Sequence, residues 1–129
     1  MPLNSEDLLH DWQQRADQHA QLSLEMSRRM QEVTATARST DDEVEVTVDH
    51  TGSMTALRIA DYAMRLPAAD LSSLVLATSQ QAQAKMAQQV GELVQGMYGS
   101  DSPTAAFVTG AYNQQFPQPP DEEQERSRR

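Results

Sequence analysis

The sequence predicts an α+β domain of order α-β-β-β-α, a three-stranded antiparallel meander flanked by two long helices, with a disordered C-terminal tail. Three observations lead there. Apolar residues step by three and four through residues 5–33, and again from about 68 to 98. Between those segments the period falls to two, in VTATARS, EVEVTV and MTALRI. From about Ser100 the composition shifts to Ser, Pro, Gly and Gln and ends in DEEQERSRR, which buries too little apolar surface to order itself. The domain is therefore expected over residues 5–98 and the tail over 99–129.

The first helix carries Leu9, Trp12, Ala16, His19, Ser23, Met26, Met30 and Val33 at heptad spacing. Ser5 supplies an N-cap region, with Glu6 and Asp7 favourable in the first turn. His19 and Ser23 interrupt the seam, so its two ends are expected to pack most tightly. The strands follow at residues 33–39, 43–48 and 54–59. Val33, Ala35 and Ala37 alternate with Thr34, Thr36 and Arg38; Val44, Val46 and Val48 alternate with Glu43, Glu45 and Thr47. Leu57 and Ile59 alternate with Ala56 and Arg58. Thr40-Asp41-Asp42 and Asp49-His50-Thr51-Gly52-Ser53 supply the turns. After a short crossing over 60–66, Pro67 opens the second helix, marked by Leu71, Val75, Ala82, Met86, Val90, Leu93 and Met97 and stopped by Gly99. The meander gives the helices an apolar face to cover.

Composition narrows the function. With 129 residues and 5% aromatics, including one tryptophan, the core is thin for a lone chain. Pairing with a second copy would supply the missing burial. There are no cysteines, so disulfides, thiol nucleophiles and zinc–thiolate sites are excluded. Residues 1–24 lack the apolar run of a signal peptide, and no stretch has the ~20 apolar residues of a membrane span. A cytoplasmic protein without membrane contact is the expectation. The net charge is −9, and no segment is basic overall; affinity for phosphate usually comes with a basic field.

No catalytic arrangement is present. His10, His19 and His50 lack metal-ligand spacing, the Asp41-Asp42-Glu43 run lacks the pattern of a calcium loop, and there is no phosphate-cradling glycine loop. A non-enzyme without cofactors is expected. The methionines Met26, Met30, Met86 and Met97 lie on apolar stripes and read as core. Phe107, Tyr112 and Phe116 stand in polar surroundings, a spacing that suits a short partner-binding segment. Deleting residues 101–129 is expected to leave thermal stability nearly unchanged.

The Gln/Met-rich first helix, VTATARSTDDEVEVTVDHTGSMTALRI and LSSLVLATSQQAQAKMAQQV together resemble the YbaB/EbfC family of bacterial nucleoid-associated proteins, in its actinobacterial form. The likeness covers about residues 8–98. It implies an α-β-β-β-α protomer, a homodimer with projecting helices, largely non-specific binding to double-stranded DNA, and a nucleoid location. On that reading Arg15, Arg28 and Arg29 on the first helix and Arg38 and Arg58 on the strands are the candidate phosphate contacts. The bland alternatives are a solvated helix face for the first three, and cross-strand pairing with Glu43 or Glu45 for the last two. The acidity departs from the usual DNA-binding pattern. It favours a second reading: a cytosolic adaptor or chaperone tied to type VII secretion, meeting a protein partner through the helices or tail without DNA.

Overall fold

The computed structural model describes residues 5–119. Its elements run α1 (Ser5–Gln31), β1 (Thr34–Arg38), β2 (Val44–Asp49), β3 (Met54–Ile59), a 3₁₀ turn at Asp61–Arg65, α2 (Ala68–Tyr98) and α3 (Pro103–Gln115). The strands form one antiparallel sheet of order β1-β2-β3, as the alternation predicts. Both connectors are closed by local hydrogen bonds. Ser39 Oγ accepts from the amides of Glu43 and Val44, and Asp49 Oδ1 accepts from the amides of Thr51 and Ser53. A bulge at Thr55 shifts the register, so that Thr47 faces Ala56 while Val48 faces Met54.

The core lies between the sheet and α2. Val44, Val46 and Val48 of β2 and Ala35 of β1 meet Ala82, Met86, Val90 and Val94 of α2, all buried. The four α2 residues recur every fourth position, one stripe of the helix. Gly99 ends α2 in the left-handed region, with φ 92° and its amide bonded to the Gln95 carbonyl at 2.8 Å. The sheet is not covered evenly. All six residues of β3 are exposed, including Met54, Leu57 and Ile59, although the alternation places the last two on the apolar face. The α2 helix lies over β1 and β2, and β3 packs chiefly on β2 among the described residues.

The carboxyl-terminal segment differs from expectation. Residues 99–129 are poor in apolar groups, yet Pro103–Gln115 is a helix docked on α2 and the β2–β3 turn. Ser102 caps it by accepting from the Ala105 amide, and Pro103 fits its first turn. Ala105 is buried, and Val108, Tyr112 and Phe116 pack against the core cluster at steps of three and four. Tyr112 donates to the His50 carbonyl at 3.2 Å, and Gln118 donates to the Ala84 carbonyl at 3.2 Å. Four placements suffice where composition suggests none. Phe107 remains exposed, and the charged run DEEQERSRR lies outside the described residues.

At the other end, α1 has no buried residue. Met26 and Met30 pack against the core, and Ser23 lies 3.5 Å from the Tyr98 hydroxyl at the last residue of α2. Residues before Ser23 run past that point for about 25 Å at the usual helical rise. Leu8, Leu9 and Trp12 are exposed along this arm, so only the inner end of the seam packs within the chain. Among the described residues no helix is long and apolar enough to cross a membrane.

Candidate nucleic-acid interface

The five arginines singled out by sequence fall into two groups. Arg15, Arg28 and Arg29 lie along α1; Arg38 and Arg58 lie on the outer, polar face of the sheet. The structure does not bring the groups together into one patch. It does show which guanidinium groups are already occupied.

On α1 all three are paired at helical spacing. Arg15 meets Asp11 at 3.0 Å. Glu25 takes both of the others: its Oε1 accepts from Arg28 Nη2 at 2.6 Å and from Arg29 Nε at 2.9 Å, while its Oε2 accepts from Arg28 Nε at 3.2 Å. Arg28 Nη1 donates to Glu32 at 2.9 Å. Hydrogen bonds from Arg28, then Arg29, pull the Glu25 carboxyl down to about 2. Its negative charge is therefore present throughout the neutral range. The cluster of two guanidinium and two carboxylate groups is neutral overall, which gives an approaching phosphate no net local attraction.

On the sheet, Glu45 stands opposite both Arg38 and Arg58 in register. It pairs with Arg38 at 2.7 Å, as cross-strand pairing predicts. Arg58 has no ion pair or side-chain hydrogen bond among the described residues. Arg38, Asp42, Glu45, Arg58, Ile59 and Ala60 line a shallow cleft on this face. Lys85, the only lysine, reaches across from α2 to the Thr36 carbonyl at 3.1 Å.

Sequence reasoning missed Arg65. It closes the 3₁₀ turn directly after β3, is exposed, and has no partner among the described residues. Asp61 stands four positions earlier, which in an α-helix would pair with it. A 3₁₀ turn has three residues per revolution, so the two side chains point in different directions. The signal was readable only by knowing that residues 61–65 are not α-helical. Arg58 and Arg65 are thus the uncommitted arginines among the described residues. Around them Met54, Leu57, Ile59, Tyr62 and Met64 are exposed, an apolar strip along the β3 edge. Tyr62 fixes this corner by donating to the Asp41 carbonyl at 2.5 Å.

Residues 2–101 match the sequence model of the YbaB/EbfC DNA-binding family. No curated protein and no solved structure matches the chain. The matched span takes in α1, the sheet and α2, and it stops before α3.

Proposed function

The chain belongs to the YbaB/EbfC DNA-binding family, and on that premise we propose that it is a nucleoid-associated, largely non-specific DNA-binding homodimer. The family match carries this reading. What the geometry adds is a choice among the cations. Among the described residues Arg58 and Arg65 have no carboxylate partner to displace, whereas Arg15, Arg28, Arg29 and Arg38 each have one. Arg58 and Arg65 are therefore the primary phosphate contacts, and the paired arginines are secondary ones.

The dimer forms through the bare edge. Among the described residues β3 presents an unpaired row of backbone groups together with Met54, Leu57 and Ile59, the kind of edge that proteins pair or protect. Two copies joined there by a two-fold axis bury each other's apolar strip. Arg58 alternates to the opposite face from Leu57 and Ile59, so pairing leaves it open and places two copies near the axis. A net charge of −9 per chain makes the dimer strongly acidic. Contact therefore relies on this local cationic pair and not on long-range attraction. Backbone contacts of this kind carry no sequence information, in keeping with non-specific binding.

Two measurements test the reading. Light scattering at micromolar concentration should give twice the 14.3 kDa chain mass; a folded, monodisperse monomer contradicts the edge dimer. Replacing Arg58 and Arg65 by Ala should weaken binding to every duplex about equally, and should lower the salt dependence by roughly one counterion per lost phosphate contact. Unchanged affinity in that double variant would remove these residues from the interface.

A further inference from the structure

We propose that Glu25 acts as an internal competitor for DNA phosphate, holding Arg28 and Arg29 in a neutral clamp that sets how tightly the α1 arm contributes to binding. This rests on the DNA-binding reading above and adds to it a residue that tunes affinity from within the chain.

The geometry assigns the role. Arg28 uses Nε and Nη2 together on Glu25, the paired edge of the guanidinium that a phosphate would grip bidentately. Its remaining nitrogen, Nη1, is on Glu32. All three nitrogens of Arg28 are engaged. Arg29 gives its Nε to the same Glu25 carboxylate. One carboxylate thus occupies both arginines, because positions 25, 28 and 29 share one face at spacings of three and four. A phosphate can reach this pair only by displacing Glu25 or by accepting repulsion from it. All four side chains are at least a third exposed. Exposed pairs are individually weak and screened by salt, so the clamp yields to a competitor in proportion to its strength. It is a graded brake. Asp11 does the same to Arg15, and Glu45 to Arg38, through a single pair each; among the described residues only Glu25 holds two.

Glu25→Gln keeps the side-chain shape, the helical propensity and a hydrogen-bond acceptor while removing the charge. The test compares full-length protein, Glu25→Gln, Arg28→Ala/Arg29→Ala, Glu25→Gln/Arg28→Ala/Arg29→Ala, and Asp17→Asn. The last makes the same charge change on the same helix, where no arginine contact is present among the described residues. Each is titrated against one labelled duplex at low and moderate salt, with circular dichroism confirming equal helicity. Glu25→Gln should tighten binding by about three- to tenfold at low salt and add roughly one counterion to the salt slope. Asp17→Asn should change affinity by less than about twofold at the same salt. Arg28→Ala/Arg29→Ala should cost little, since both groups are occupied to begin with, and the triple variant should lose the gain. A Glu25→Gln effect no larger than that of Asp17→Asn, or a gain that survives in the triple variant, overturns the clamp while leaving DNA binding intact. Failure of all five proteins to shift the duplex overturns the DNA reading and the clamp with it.

Discussion

Ending the chain at Ser102 should lower its melting temperature by about 10–20 °C relative to a chain ending at Pro119. The comparison isolates α3. That helix places Ala105 in the core and lays Val108, Tyr112 and Phe116 against it. Burying an apolar side chain fully contributes roughly 1.5–3 kcal/mol, and three of these four are only partly buried, so their loss costs about 3–5 kcal/mol. For a chain of this size each kcal/mol moves the midpoint by about 3–5 °C. The bonds from Tyr112 to the His50 carbonyl and from Gln118 to the Ala84 carbonyl go with it. Differential scanning calorimetry on the two truncations measures the effect. An unchanged midpoint would mean that α3 rests on the body without stabilising it.

The second large effect comes from one glycine. Gly52 turns the β2–β3 hairpin with φ +84°, and a methyl group added there would stand 2.5 Å from Phe116 Cε1 and 2.6 Å from its Cζ. Gly52→Ala therefore meets two separate penalties. The left-handed backbone costs a non-glycine residue about 1–2 kcal/mol. The ring of Phe116 must also swing away, which loosens the end of α3 and the contact with Tyr112, whose ring centre lies 6.0 Å from it. Overpacking of this kind adds about 1–2 kcal/mol. A double-mutant cycle separates the two. In the chain ending at Ser102 only the backbone penalty remains, so Gly52→Ala should cost about 1–2 kcal/mol less there. Equal costs in both chains would show that Phe116 does not press on the turn.

Most of the fold could be read from periodicity. The switch from steps of three and four to steps of two, near Val33, falls within two residues of the end of α1. Val44, Val46 and Val48 are buried as alternation requires. Two features were not readable. The exposure of Leu57 and Ile59 depends on where α2 comes to rest over the sheet, a tertiary fact that no local pattern contains. α3 escaped because composition averages over the tail, while the helix depends on four apolar residues aligned on one face behind a Ser-Pro start. The Ser102–Pro103 cap and the Ala105, Val108, Tyr112, Phe116 spacing were present in the sequence and outweighed by the surrounding Gln, Pro and Ser.

The candidate site was less legible for an electrostatic reason. Counting arginines finds positive charge, but availability depends on which carboxylates share their face. Spacing alone could have shown that Glu25 reaches Arg28 and Arg29, and that Asp11 reaches Arg15. It could not have shown that Glu45, facing two arginines, pairs with Arg38 and leaves Arg58 open. Nor could it show that a 3₁₀ turn parts Arg65 from Asp61.

On the reading proposed above, an acidic chain binds duplex DNA through a few local cations. Titration of the unmodified full-length protein against a labelled duplex at about 50 and 200 mM salt tests it most directly. The expected dissociation constant is ~10⁻⁴ to 10⁻⁶ M at the higher salt, with steep tightening at the lower and little difference between unrelated duplex sequences. No shift of any duplex, even at the lower salt, would contradict it.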